Sequence, residues 1–154
     1  MHPNVAFTLE QARKPYKVYR HTDFITPIRS PQDLATALGY DLRRMTKSIF
    51  LKSLNQDKYA MAVCSMDKKA NFSSIADYLG CKRLKLASRE DLQEKVGYPP
   101  GGVSPIGVQG IPIFLEQSLL DLETIVIGTG EIDIEVEISP SALKDLTEAI
   151  VLSL

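Results

Sequence analysis

The sequence predicts an α+β fold with a mixed, largely antiparallel central sheet flanked by helices. Three observations lead there. Short apolar runs of strand length outnumber the helical stretches, and consecutive strands are often joined by tight turns instead of helical crossovers. The helical stretches are brief and carry their own start and stop signals. A chain of 154 residues suits one hydrophobic core, so residues 1–154 read as one domain.

Taken in order, Thr8 to Lys14 reads as a short helix ended by Pro15. Tyr16 to His21 alternates and reads as a strand. Ser30 is an N-cap, Pro31 a first helical residue and Asp33 a first-turn acid, giving a helix from Pro31 to Leu38 that stops at Gly39. Lys47 to Ser53 and Tyr59 to Ser65 form a hairpin around a turn at Asn55, Gln56, Asp57 and Lys58, with a largely buried central strand. Asn71 to Leu79 is a helix closed by Gly80, and Arg83 to Ala87 a short strand. Ser88 caps a helix through Val96, with Asp91 completing a capping box. Tyr98 to Gly107 holds three prolines and three glycines and is excluded from regular structure. Strands follow at Ile111 to Leu115, Thr124 to Ile127 and Ile132 to Ile138. A last helix, capped by Ser139, starts near Pro140 and packs Leu143, Leu146 and Ile150 at helical spacing.

Hydrophobic residues make up 44% and charged residues 24%, ordinary globular values that exclude disorder. Cys64 and Cys81 have neither a disulfide framework nor a zinc-type spacing around them, and read as two buried thiols of a reduced, cytoplasmic protein. No leader-like or membrane-spanning apolar run is present. The net charge of −1 argues against a general nucleic-acid binder. Yet residues 1–95 hold 17 of the 18 Lys and Arg and only 10 of the 19 Asp and Glu. That polarity either gives one basic face able to meet phosphates or merely mixes as the halves interleave.

Nucleophile-elbow, zinc-protease, phosphate-loop and dinucleotide motifs are all absent. Of two histidines, His2 reads as a disordered terminus, and His21 alone is a thin basis for a Ser or Cys triad. What remains is a lysine and a loop. Lys47 heads the apolar run Ile49-Phe50-Leu51 and either snorkels or enters a pocket. Gly101-Gly102-Val103-Ser104-Pro105 offers bare backbone whose N–H groups suit an oxyanion or phosphate, or is a plain crossover loop.

Three stretches carry a family resemblance. Thr46-Lys47-Ser48-Ile49-Phe50-Leu51 resembles the lysine strand of the YbaK aminoacyl-tRNA deacylase family, which includes the editing domains associated with prolyl-tRNA synthetase. Gly97 to Gly107 is similar to that family's G-Y-x-x-G-G-[IV]-S-P-x-G loop, with its GxxxP signature at Gly101 to Pro105. Leu79 to Ala87 resembles the family's L-G-x-K-[KR] stretch. The order fits from Tyr19 to Leu146. The resemblance implies a trans-editing deacylase that hydrolyses the ester of a mischarged tRNA of Cys, Ala, Ser or Thr type, with tRNA-Pro as one carrier. It implies Lys47 as the essential polar group and a substrate-facing set of Gly101, Gly102, Val103, Ser104, Pro105, Gly128, Thr129, Tyr19 and Ser30. Its partners would be the aminoacylated tRNA 3′ end and an aminoacyl-tRNA synthetase; it implies no metal, no cofactor and no membrane.

The sequence departs from the family where Gly128 replaces a serine, where Ser30 or Ile28 replaces a phenylalanine, and where a His-Pro of the Ala-removing branch is missing; the family's strand acid falls at Glu135. A non-catalytic module that binds an aminoacyl-tRNA end or a nucleotide stays open as the alternative. The resemblance implies that Gly101 and Gly102 point their N–H groups inward, facing Lys47 across a cleft, so that Gly101→Ala should damage turnover far more than folding, with Gly107→Ala milder.

Overall fold

The computed structural model describes residues 1–55 and 57–154. Its elements run α1 (Pro3–Ala12), β1 (Tyr16–Arg20), α2 (Pro31–Leu38), β2 (Thr46–Ser53), β3 (Tyr59–Ser65), α3 (Ser73–Leu79), β4 (Leu84–Leu86), α4 (Arg89–Lys95), β5 (Ile113–Glu116), β6 (Ile125–Gly128), β7 (Ile134–Ile138), α5 (Pro140–Thr147) and β8 (Ile150–Leu152). The α+β class is as expected, but the strands form two sheets instead of one. A three-stranded antiparallel sheet has the order β1-β7-β6, and a five-stranded mixed sheet has the order β4-β2-β3-β5-β8. Strands β4, β2 and β3 pair antiparallel, whereas β5 and β8 add in parallel. The two sheets touch where Met45 bridges to Val126 and the Thr46 hydroxyl donates to the Val126 carbonyl at 2.8 Å.

Side-chain parity explains the layering. Phe50, Met61, Val63, Ile113 and Leu115 of the larger sheet face Ile125, Ile127, Val136 and Ile138 of the smaller one, making the main core with Val5, Leu9 and Leu143. On the far side of the larger sheet, Leu51, Ala60, Ala62 and Phe114 pack on Ile75 of α3 and on Leu154. Beyond the smaller sheet, Leu34 and Ala35 of α2 pack with Met45 and Val126. Strand β3 is flanked by strands on both edges and covered on both faces, so its run from Ala60 to Ser65 is wholly buried.

The serine caps hold as expected. Ser30, Ser88 and Ser139 each accept a backbone N–H three residues on, worth about 1 kcal/mol apiece. Asp91, however, turns its carboxylate toward Lys52 at 3.7 Å, so the Ser88 capping box is one-sided.

Several boundaries move. Helix α1 starts at Pro3, not Thr8, because the His2 ring accepts the Asn4 N–H and Pro3 begins the first turn. His2 is therefore an ordered cap, stacked edge-on against Tyr98 at 4.9 Å. Ile150 lies in a strand, not in the last helix: Glu148 adopts a left-handed conformation that ends α5, and Ile150 then pairs with Phe114. Cys64 is buried, but Cys81 is only partly so. The expected turn at 55–58 includes Gln56, which lies outside the described residues. Among the described residues no helix is long and apolar enough to cross a membrane.

Candidate active site

The cleft forms where the two sheets meet. It has a volume of about 260 Å³ and is lined by Lys47 and Ser48 of β2, Met66, Gly101 and Val103 of the loop, Ile127 and Gly128 of β6, and Glu135 of β7. Pro31 of α2 closes one side, so Ser30's neighbour reaches the cleft. Two larger grooves, of about 700 and 600 Å³, lie elsewhere and do not include Lys47 or the 101–105 loop.

Lys47 pairs across the hairpin with the buried Cys64. Its ammonium is anchored, not free to snorkel: Nζ donates to the Lys68 carbonyl at 2.7 Å. Lysine has three donors, so two are left for a ligand in the cleft.

The loop is held in place by its own backbone. Gly102 N–H donates to the Pro99 carbonyl at 3.0 Å, and Gly130 N–H to the Gly102 carbonyl at 2.7 Å. The expectation that Gly102 turns its N–H inward is thereby corrected, because that donor closes a turn. Gly101 has φ +85° with open space where a Cβ would stand, as suits a close approach by a ligand. The Gly128 backbone is pressed against the loop: a Cβ there would lie 2.3 Å from the Val103 carbonyl oxygen. The glycine that replaces the family serine is thus required by the loop's path.

The remaining expected residues divide. Gly102 and Pro105 are buried within the loop. Ser104 is buried and its hydroxyl accepts the Ile106 N–H at 3.1 Å, so it shapes the loop. Thr129 is buried and donates to the Ile134 carbonyl at 2.8 Å. Ser30 spends its hydroxyl on the Asp33 N–H. Tyr19 donates to Glu137 and does not line the cleft. Thr129 and Tyr19 thus spend their hydroxyl protons on protein acceptors, and Ser30 and Ser104 each accept a backbone N–H, so all four hydroxyls take part in local structure.

Glu135, where the family's strand acid falls, belongs to a wider acidic face that the sequence did not single out. Glu135 and Glu137 share one side of β7, with Asp133 just before the strand; Tyr19 of β1 pairs with Glu135, and His21, just after β1, meets both Asp133 and Glu135. Glu135 lines the cleft, and His21 Nε2 lies 2.6 Å from its Oε2. Burial pushes the Glu135 carboxyl above the ordinary carboxylate range, and His21 offsets this only in part. Glu137, 5% exposed, is gripped by the hydroxyls of Thr124, Tyr19 and Tyr40 and by Arg44 at 3.1 Å. Burial would raise its pKa, but the three hydroxyl donors outweigh that and hold it below the ordinary range. Arg44 also stacks 3.5 Å above the Tyr40 ring. Glu137 thus lines the separate groove beside Tyr40, Arg44 and Thr124, while Glu135 lines the cleft.

Comparison with known proteins adds the lineage. Residues 26–146 match the family model described as the aminoacyl-tRNA editing domain. The chain is 26% identical over 145 residues to a candidate Cys-tRNA(Pro)/Cys-tRNA(Cys) deacylase, EbsC, of Enterococcus faecalis, covering 94% of this chain and 87% of that protein. It is 32% identical over 106 residues to the proline–tRNA ligase of Sulfurihydrogenibium sp., covering 69% of this chain but only 18% of the ligase. The first ligase matches span 18% to 21% of those proteins' length. A crystal structure of a candidate trans-editing enzyme for prolyl-tRNA synthetase superposes with a TM-score of 0.83 at 22% identity, covering 100% of this chain and 98% of that one. At that identity the likeness establishes the shared fold.

Proposed function

This chain belongs to the aminoacyl-tRNA editing domain family, and from that premise we propose that it is a trans-editing deacylase that hydrolyses the ester of a mischarged tRNA. The observation that carries the reading is the single cleft shared by Lys47, the backbone of Gly101 and Val103, and Glu135. An aminoacyl ester offers three features to recognise: a carbonyl that becomes an oxyanion, a cationic α-amino group, and the ribose and phosphates of the tRNA 3′ end. The Lys47 ammonium supplies positive charge for the oxyanion or a phosphate. Glu135 supplies an acceptor for the α-ammonium. Gly101 leaves room for the ribose against bare backbone.

Hydrolysis then needs a water to attack the carbonyl carbon, a donor to the oxyanion, and a proton for the departing ribose oxygen. The ester is already activated, so a charged, water-restricted cleft suffices without a protein nucleophile. The apolar lining from Met45, Met66, Val103, Val126 and Ile127 suits a small side chain. Cys, Ala, Ser and Thr esters are the substrate class, with tRNA-Pro as the first carrier to try, given the ligase and EbsC relatives. The reaction belongs in the cytoplasm, where aminoacyl-tRNA is made, and a synthetase is the natural second partner.

The test is a panel of mischarged tRNAs incubated with purified protein, with ester loss followed over time. Hydrolysis of one class above the spontaneous rate supports the reading. A second reading, a module that binds the aminoacylated end without turnover, is favoured by Ser30, whose hydroxyl caps α2, and by Gly128, which leaves no room for a side chain. Tight binding with no ester loss would select it.

A further inference from the structure

We propose that the ion pair between buried Glu116 and partly exposed Lys68 is the positioning device for Lys47; the inference rests on the role given to Lys47 above. Glu116 ends β5 and is 2% exposed. Its Oε2 accepts the Leu154 N–H at 2.6 Å and lies 3.2 Å from Lys68 Nζ. Its Oε1 accepts the Ser118 N–H at 3.2 Å. Burial works against the charge, but the two backbone donors and the Lys68 ammonium outweigh it and keep Glu116 below the ordinary glutamate range. A carboxylate fixed by backbone donors from both of its flanks is a rigid post.

Lys68 is tied to that post. Its backbone sits in the turn after β3, where its N–H donates to the Ser65 carbonyl at 3.1 Å. Its ammonium reaches back to Glu116, and its carbonyl, on the other side, accepts Lys47 Nζ. One lysine therefore carries a buried carboxylate at its tip and the cleft ammonium at its backbone. Spending one Lys47 donor on a fixed carbonyl sets the direction of the other two. The tail contributes as well: Leu154 N–H loads Glu116, and the Ser74 hydroxyl holds the Ser153 carbonyl at 3.0 Å. Glu116 and Lys68 act through Lys47 and line no part of the cleft.

The test uses the full chain with Lys68→Met, Glu116→Gln, the double variant and Lys68→Arg. Single-turnover ester loss, KM and the melting temperature are measured. Lysine-selective ¹H–¹⁵N spectra follow the Lys47 ammonium, assigned by its loss in Lys47→Ala. Positioning predicts that Lys68→Met and Glu116→Gln each slow the chemical step about tenfold with KM within about twofold, and that the double variant is no slower than either. Lys68→Arg, whose guanidinium reaches the same carboxylate, should restore the rate. The hydrogen-bonded Lys47 resonance should persist in wild type and Lys68→Arg and broaden away in Lys68→Met. A rate unchanged in Lys68→Met, or an unchanged Lys47 resonance, would overturn the proposal. If Glu116→Gln fails to fold, Lys68→Met decides, since that side chain is 32% exposed. If wild type hydrolyses no ester, the deacylase reading fails, and the Lys47 resonance alone tests the positioning.

Discussion

Lys47 and Glu135 stand on different sheets, β2 and β7, and line the same cleft. Opposite charges are thus offered to one ligand from two elements that no hairpin connects. A substrate carrying both an ammonium and a developing oxyanion matches that pairing.

Replacing Lys47 with alanine should abolish ester hydrolysis while the melting temperature moves little, because the ammonium is only half-buried and its one partner is a loop carbonyl. Mischarged tRNA and single-turnover conditions give the comparison. Activity within about threefold of wild type, less than 1 kcal/mol of barrier, would remove Lys47 from the mechanism.

Glu135 should read the free amino group. Wild type is expected to prefer an aminoacyl ester over its N-acetylated form by about tenfold, and Glu135→Gln to narrow that preference. Competition between the two substrates in one tube measures it directly. An undiminished preference in the variant would place the amino group elsewhere.

Acid should weaken the fold through Glu137. A carboxyl whose folded pKa lies below its unfolded value adds stability above the unfolded value and loses it as pH falls through the folded one. Glu137, and Glu116 with it, is of that kind. Wild type should therefore lose stability as pH drops below the ordinary glutamate range. Glu137→Gln should cost about 3 kcal/mol at neutral pH, because Arg44 loses its charged partner, and should flatten the acid limb. Melts across that range decide; parallel pH slopes for the two proteins would refute it.

The glycines should rank by what a methyl group meets. At Gly107 φ is +78° and a Cβ would lie 2.6 Å from the Tyr98 hydroxyl; at Gly128 it would strike the Val103 carbonyl; at Gly101 it meets nothing. Gly107→Ala and Gly128→Ala should lower the melting temperature more than Gly101→Ala, whose strain is on the order of 1 kcal/mol. Gly101→Ala should instead lose turnover. The sequence-based order, in which Gly107→Ala is milder, concerns turnover; for folding, Gly107 is the more crowded position. A melting temperature for Gly101→Ala below the other two would contradict it.

Metal removal should leave hydrolysis intact. Among the described residues no cluster of three or more His, Cys, Asp or Glu is placed to hold an ion. Loss of activity on exhaustive chelation, restored by zinc or magnesium, would be the contrary result.

The sequence was most legible where one residue type has one structural use. Serines before short helices became caps at Ser30, Ser88 and Ser139, and the apolar run at 60–65 became the central strand. It was least legible where partners are distant in the chain. Ile150 continues the helical spacing of Leu143 and Leu146, and only the parallel edge of β5 makes it a strand. His21 and Glu135 are separated by 114 positions, so their contact is invisible until β1 pairs with β7. The donor at Gly102 was misread for another reason. Glycine composition shows that a backbone can bend, not which carbonyl its N–H will find.

The late pairing of β8 has a consequence for how the protein is made. As the chain leaves the ribosome, β2 and β3 can zip together early, because they lie close in sequence, Ser53 ending one and Tyr59 starting the other. The outer edge of β5 stays bare until Ile150–Leu152 has emerged. Through that interval the nascent chain presents an unpaired, apolar strand to its neighbours, an invitation to wrong partners. Two residues beyond β8, Leu154 carries the N–H that loads Glu116. Docking of residues 150–154 therefore closes the sheet edge and stiffens the cleft together, and a variant with that segment deleted would be both stickier and slower.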